Sequence, residues 1–398
     1  MPSRKTILFV EINNYNYIFI AGEYDENLEF KIINKLIVNN SCIEKNRFIN
    51  FDLAQEIVKK NVQIIEEKTN SVFKEVIIIL DNLNYTSVNI SGYKKLNGSQ
   101  VLKENISYIL NSLKLAISEN LEEKTILQIF NTKSVLDGVN THNLPIGLFG
   151  NFYNHELSFF LIENNDLKNL NKIFNKNNLK IKKIFIRKFI EGVEMMNKKK
   201  DIDTFFKLDF YKENSILSFF YKSSFKLVER FNFGTNMILQ DIAKVCSLEH
   251  KVVNEFLSDK ILNFSNKVED AVLDKKYFNQ GLYRKIKIRL IKDIAKARID
   301  EIIKIIYTKN LNIKSLKNKD NAIYLTIHDK EILQNFFTDF QINFKDYEDK
   351  INFIEHIEID NIVKRASHLS TYGWKNEAIP IAQTKSSLIT RIFKSLFN

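Results

Sequence analysis

Cysteine is almost absent: Cys42 and Cys246 are the only two in 398 residues. Far apart in sequence, they suit a reducing compartment and exclude a thiol-based zinc site. No uninterrupted apolar run approaches the roughly 20 residues of a transmembrane helix. The opening MPSRKTILFVEINN has too short an apolar stretch before Glu11 for a signal peptide, so the body is expected on the cytoplasmic side. No Gly-X-Ser-X-Gly, Walker or HEXXH pattern occurs, and no helix-turn-helix, RNA-recognition or zinc spacing. His250 and His328 lack a carboxylate, Cys or second His at ligand or catalytic spacing, so both are expected to be structural and no metal site is expected.

What is present is a core-forming composition. Apolar residues make up 44% of the chain and aromatic residues 12%, which argues against disorder and allows about two to four compact units. The net charge is +11. Its lysines are spread along the chain and interleaved with Asp and Glu, so the excess predicts general attraction to anionic surfaces and no sequence-specific nucleic-acid binding.

Strand-like segments rich in Ile, Phe and Val occupy 6–12, 15–21 and 30–37, separated by Asn, Gly and Asp turns. A helix follows at 52–67, then a buried strand at 76–80. Residues 84–163 read as a unit of their own, with strands at 86–91 and 157–162 and a helix at 101–117. A helix at 167–176 and a strand at 181–186 return the chain to the first unit. Lys198–Lys200 reads as a solvated loop between lobes. The opening pattern then recurs: strands at 202–208, 216–221 and 225–231, and a helix at 235–245. Recurrence after about 200 residues implies two similar lobes, because a solenoid repeats far more often. A long helix at 283–307, a strand at 322–326, a helix at 331–339, a strand near Phe353 and a helix through Ile362 complete the second lobe.

This duplicated plan resembles the actin-like, two-lobed ATPase superfamily, and its details resemble the bacterial cell-division protein family FtsA. Glu11-Ile12-Asn13-Asn14-Tyr15 stands where that family has an Asp-Ile-Gly-Thr-Ser phosphate hairpin. Val135-Leu136-Asp137-Gly138, then Pro145, Gly147 and Gly150, is similar to the run that closes the family's inserted unit. Asp209 begins the second hairpin, and Phe233-Gly234-Thr235-Asn236 with Asp241-Ile242-Ala243 follows at the family's spacing. Lys296-Ala297-Arg298-Ile299-Asp300-Glu301 is similar to a family helix, and the C-terminal helix is the last match.

The resemblance implies an α/β, two-lobed actin-like (duplicated ribonuclease H-like) fold with an inserted α+β subdomain in the first lobe and a C-terminal amphipathic helix. The expected first lobe is 1–83 with 164–197, the insertion 84–163, and the second lobe 198–247 with 305–374. A small subdomain at 248–304, a linker at 375–385 and a membrane-targeting helix at 386–398 complete the division. The resemblance also implies a nucleotide site, ATP with magnesium, at Glu11, Asn13, Asp209 and Gly234.

The sequence departs from the family at that site. Phosphate-binding hairpins need glycine, because backbone N–H groups must approach the phosphates and some turn residues need φ > 0. The second hairpin instead carries Tyr211, Lys212 and Glu213, and Ile216 replaces its closing Asp. The first has lost its glycine to Asn13, the residue that best tolerates left-handed backbone. The adenosine-side motif is Thr326-Ile327-His328, with two bulky residues for two glycines. Glu213 would add like-charge repulsion of about 1–4 kcal/mol beside a triphosphate. Glu11 and Asp209 could still organise magnesium, and Lys212 could meet a phosphate. Weak or lost ATP binding is the reading, with no catalytic residue assigned.

The last thirteen residues carry the remaining signal. Leu388, Ile389, Ile392, Phe393, Leu396 and Phe397 share one helical face, with Arg391 and Lys394 off it. Such a helix can lie in a lipid headgroup layer, or dock on the protein's own core. Ordering it offsets much of the burial gain, so one tail binds anionic lipid reversibly and several on a filament bind as a unit. The family reading is therefore a peripheral protein of the bacterial inner membrane at the division septum. There it would self-associate into filaments, hold the FtsZ C-terminal peptide through 248–304 and recruit downstream division proteins. Two alternatives stand beside it: an active actin-like ATPase or kinase with a divergent pocket, and a pilus-assembly-type adaptor.

Overall fold

The computed structural model describes residues 6–44, 47–81, 84–259, 271–278, 283–316, 322–345 and 351–380. The chain divides into two compact units, the first comprising 1–203, 220–227 and 357–398, the second 204–219 and 228–356.

Unit 1 opens with β1 (Ile7–Ile12), β2 (Asn16–Tyr24) and β3 (Phe30–Asn39), followed by the short pair β4 (Ile43–Glu44) and β5 (Arg47–Phe48). Helix α1 (Phe51–Thr69) starts at Asn50, whose side chain accepts the Leu53 N–H at 3.0 Å, and it leads to β6 (Glu75–Leu80). The inserted segment is β7 (Tyr85–Lys95), α2 (Lys103–Asn120), β8 (Lys124–Leu136), β9 (Val139–Thr141) and β10 (Phe152–Glu163). Asp137 and Gly138 both take positive φ, the requirement of a tight two-residue hairpin between β8 and β9. Helix α3 (Asn164–Asn175), β11 (Lys180–Ile186) and α4 (Arg187–Lys198) return the chain to the first sheet.

The first sheet runs β11-β6-β1-β2-β3, with β1 parallel to β6 and antiparallel to β2. β1 and β6 read as nearly continuous apolar runs because both of their faces are covered.

The second repeat is β12 (Phe205–Phe210), β13 (Ser215–Tyr221) and β14 (Ser224–Phe231), then α5 (Asn236–Cys246) and α6 (His250–Ser258). After these come α7 (Ile288–Ile303), α8 (Leu311–Leu316), β15 (Ala322–Ile327), α9 (Lys330–Lys345) and β16 (Ile351–Phe353). The sheet order, β16-β15-β12-β13-β14, repeats that of the first sheet strand for strand, with β12 parallel to β15 as β1 is to β6. The duplication expected from sequence is thus a duplication of topology.

Helix α10 (Ile359–Tyr372) and β17 (Glu377–Pro380) close the described chain. Residues 357–374, expected in the second lobe, group with unit 1. Helix α10 is tied there by Arg365 to Glu194 on α4 at 2.9 Å, Lys35 on β3 to Asp360 at 2.7 Å, and Ser367 to the Tyr24 hydroxyl at 2.6 Å.

The span expected as a linker begins with structure. Trp374 donates to Ser223 O at 2.7 Å, Asn376 donates to Lys222 O at 2.8 Å, and β17 pairs antiparallel with β8. The sheet of the inserted segment therefore runs β17-β8-β10-β7. Glu377 lies 3.3 Å from Lys183 of β11, both side chains almost fully buried. The buried lysine that receives Glu377 is distant in sequence. Among the described residues no helix is long and apolar enough to cross a membrane. The amphipathic stretch 386–398 lies outside the described residues.

Candidate functional site

In unit 1, Glu11 sits near the end of β1 between Ile18 of β2 and Ile79 of β6, buried with its apolar neighbours. Its carboxylate meets Arg187, the first residue of α4, whose Nη1 reaches Glu11 Oε2. The same guanidinium reaches Glu191 Oε1 at 2.8 Å, lies 3.9 Å from Asp81 Oδ2, and donates from Nη2 to Ile357 O at 3.0 Å. Lys188 Nζ lies 2.9 Å from Glu191 Oε2. Three buried carboxylates thus face two buried cations. Burial raises the Glu11 pKa, and Asp81 adds to the rise, against the pull of Arg187.

Asn13 occupies the turn between β1 and β2, where its Oδ1 accepts the N–H groups of Tyr15 at 2.9 Å and Asn16 at 2.7 Å. Its Nδ2 donates to Glu11 Oε1 at 3.3 Å. Asn13 is not among the positive-φ residues. Asparagine closes this turn through its side chain, as Asx turns do.

In unit 2, Asp209 lies within β12, fully buried, two residues before the 211–214 hairpin it was expected to begin. Its Oδ1 receives Lys207 Nζ from the same face of the same strand and lies 2.9 Å from His328 Nε2. The His328 ring is stacked on Tyr211, with centroids 4.0 Å apart and planes 7° apart. His328 follows β15 and was expected to be structural with no carboxylate partner. The parallel pairing of β12 with β15, which sets Asp209 beside Thr326, supplies one. His250 is exposed at the start of α6.

Gly234 lies beneath the hairpin of residues 211–214. A Cβ there would stand 2.1 Å from Tyr211 O and 2.8 Å from Asn214 N, so the glycine is required for close approach of the protein's own backbone. The N–H groups of Thr235 and Asn236, which lead into α5, donate to Tyr211 O and Lys212 O at 2.9 Å each. Asn236 Nδ2 holds Glu213 Oε1 at 3.0 Å. Lys212 is half-exposed, 3.6 Å from Glu331. Thr235 Oγ1 donates to Asp329 Oδ2 at 2.8 Å, and burial raises the pKa of Asp329.

These arrangements do not fit a magnesium-bound triphosphate. A phosphate cradle at a helix start works by pointing free N–H groups at the anion. Here those of Thr235 and Asn236 are consumed by hairpin carbonyls, and the space a glycine would keep open is filled by the hairpin. The two carboxylates that would order magnesium already hold cationic side chains of their own unit. Among the described residues no group of three or more His, Cys, Asp and Glu side chains is arranged to hold a metal.

Of the expected site residues, Glu11 and Asn13 come together in unit 1, and Asp209 and Gly234 flank one hairpin in unit 2. Arg187, Asp81, Glu191 and Lys207 were missed. Arg187 and Lys188 follow a buried strand directly and stand three or four residues before Glu191, a helix-face spacing that was legible. The residues expected to bind membrane, Leu388 to Phe397, lie outside the described residues.

No family model and no curated protein matches the sequence. Solved structures do match the fold. A chain of the PilM–PilN type IV pilus biogenesis complex superposes with a TM-score of 0.55 at 10% identity, covering 93% of this chain and 99% of that one. MreB5 of Spiroplasma citri bound to AMPPNP gives 0.48 at 8% identity over 99% of each chain. The ethanolamine utilization protein EutJ from Carboxydothermus hydrogenoformans gives 0.44 at 8%, covering 93% of this chain and 90% of that one. The fold is the actin-like one, with the lobe-by-lobe strand order described above.

Proposed function

We propose that this chain is an actin-like adaptor that works without nucleotide turnover, joining a protein partner to the inner membrane in the manner of FtsA. The observation that carries the nucleotide part is the capture of Asp209 by Lys207 and His328 within unit 2. A buried carboxylate that already receives two side-chain donors has little to gain from magnesium, and releasing it would cost Lys207 a buried anionic partner. Glu11 repeats the device with Arg187.

The partner side of the reading rests on sequence. The amphipathic stretch 386–398 is the membrane foot, with Leu388, Ile389, Ile392, Phe393, Leu396 and Phe397 toward acyl chains and Arg391 and Lys394 toward anionic headgroups. The FtsZ C-terminal peptide is the proposed cargo at 248–304, with filament self-association supplying avidity and downstream division proteins as further partners. A pull-down with that peptide tests the cargo: retention by the full chain supports it, and no retention removes it.

A second reading, an adaptor of pilus assembly, is favoured by the whole-length likeness to the PilM–PilN complex. The two separate on the tail. Lipid binding that depends on 386–398 supports the first, and binding of a pilus-assembly peptide without lipid dependence supports the second.

A further inference from the structure

Strand β7 ends the sheet of the inserted segment: among the described residues it pairs with β10 on one side and with no strand on the other. We infer that this open edge, from Asn89 to Lys95, takes up an extended acidic segment of a partner protein as an added strand. The edge borders a shallow groove between residues 91–95 and the Tyr108, Ser112 and Leu113 side of α2.

Three features fit that occupant. The backbone is suited to it, since Asn-Ile-Ser-Gly-Tyr-Lys-Lys contains no proline and the strand is regular beside β10 without a bulge. The support is rigid, because Ile90 and Val88 pack on the buried cluster of Ile109, Leu113, Leu157 and Phe159 beneath α2. The charge is of one sign: the residues lining the groove include Lys94 and Lys95 and no carboxylate.

Side-chain alternation distributes those lysines over both faces of an added strand. A Cβ on Gly92 would meet Ile109 at 2.6 Å, so even-numbered positions of β7 face α2. Lys94 is on that side, its Nζ 4.1 Å from the centre of the Tyr108 ring, which positions the ammonium at the groove. Tyr93 and Lys95 lie on the opposite face, where Tyr93 is 73% exposed. A strand laid along β7 at about 4.8 Å would therefore meet one lysine and one tyrosine on each face. Acidic residues interspersed with apolar ones match that pattern. Parallel in-register pairing with a second copy would instead set lysine against lysine, which is unfavourable.

Hydrogen exchange on the full chain tests the inference, with a short acetylated peptide of Val-Val-Asp-Asp repeats, which sets aspartate on both faces of a strand, as probe and its valine–lysine counterpart as control. The expected result is exchange slowed by about tenfold at amides 89–95 with the acidic peptide alone. The slowing should be lost in Lys94→Glu/Lys95→Glu, whose side chains lie at the surface, and in Ser112→Trp, which fills the groove. Equal protection by both peptides, no protection by the acidic one, or protection that survives both variants would overturn it. Protection that rises with protein concentration in the absence of peptide would assign the edge to a second copy instead.

Discussion

The ring of Tyr211 lies flat on that of His328, 4.0 Å away, and His328 Nε2 is 2.9 Å from Asp209 Oδ1. With Lys207 on the same oxygen, a carboxylate of β12 is held by side chains from its own strand and from the residue that follows β15. One residue of that stack replaces a glycine of the expected phosphate loop and the other a glycine of the expected adenosine motif. The residues that stand in place of the expected glycines build an internal cluster.

That cluster predicts a pattern of coupled stability. Asp209→Asn alone should cost about 3–5 kcal/mol, because it takes a buried carboxylate away from the buried Lys207 ammonium. The double variant Lys207→Met/Asp209→Leu should recover most of the loss. Urea unfolding of the two variants measures the difference, and equal losses would mean the pair is not a unit.

The Glu377–Lys183 pair predicts the hold on the C-terminal strand. Glu377→Ala removes the carboxylate that Lys183 faces inside the protein and should cost about 3 kcal/mol. Hydrogen exchange should then rise in β8 at residues 128–131, where β17 pairs. Unaltered exchange there would show that β17 holds through backbone bonds alone.

His155 predicts acid sensitivity. Burial pushes its pKa down to about 4 from 6.5, and among the described residues neither ring nitrogen has a hydrogen-bond partner. The unfolded chain takes up a proton below pH 6.5 while the folded one does not until pH 4. Stability contributed at this site is therefore present above pH 6.5 and lost as pH falls toward 4, by about 3 kcal/mol in all. His155→Leu should be at least as stable as the parent at pH 7 and should lack this part of the acid loss. Thermal melts of both proteins across that range check it, and parallel acid limbs would contradict it.

The tail predicts reversible, charge-dependent membrane binding. Deleting 386–398 should release the protein from vesicles containing anionic lipid, and the full chain should lose binding at high salt. Sedimentation unchanged by the deletion would assign membrane contact elsewhere.

Much of the fold was legible because strand pattern and turn chemistry repeat. The segments at 6–37 and 202–231 share apolar runs broken by polar turn residues, and the two sheets share one strand order. Helix α4 has no counterpart among the expected elements although Phe189, Ile190, Val193 and Met196 are buried at helical spacing, because its buried charged residues break the apolar face. Arg187, Lys188, Lys183 and Lys207 are all buried. In a chain with 59 Lys and Arg residues, a buried cation has no composition signal. Only strand register and the carboxylate opposite reveal it. Glu11 and Asp209 were found through the family resemblance, and their partners required the structure.

Isothermal titration of the full chain with magnesium-ATP tests the central claim most directly. Flat heats through the millimolar range, with no phosphate release, are the predicted result. Saturable micromolar binding accompanied by turnover would contradict it, since Asp209 and Glu11 would then have to leave Lys207 and Arg187 to receive the metal.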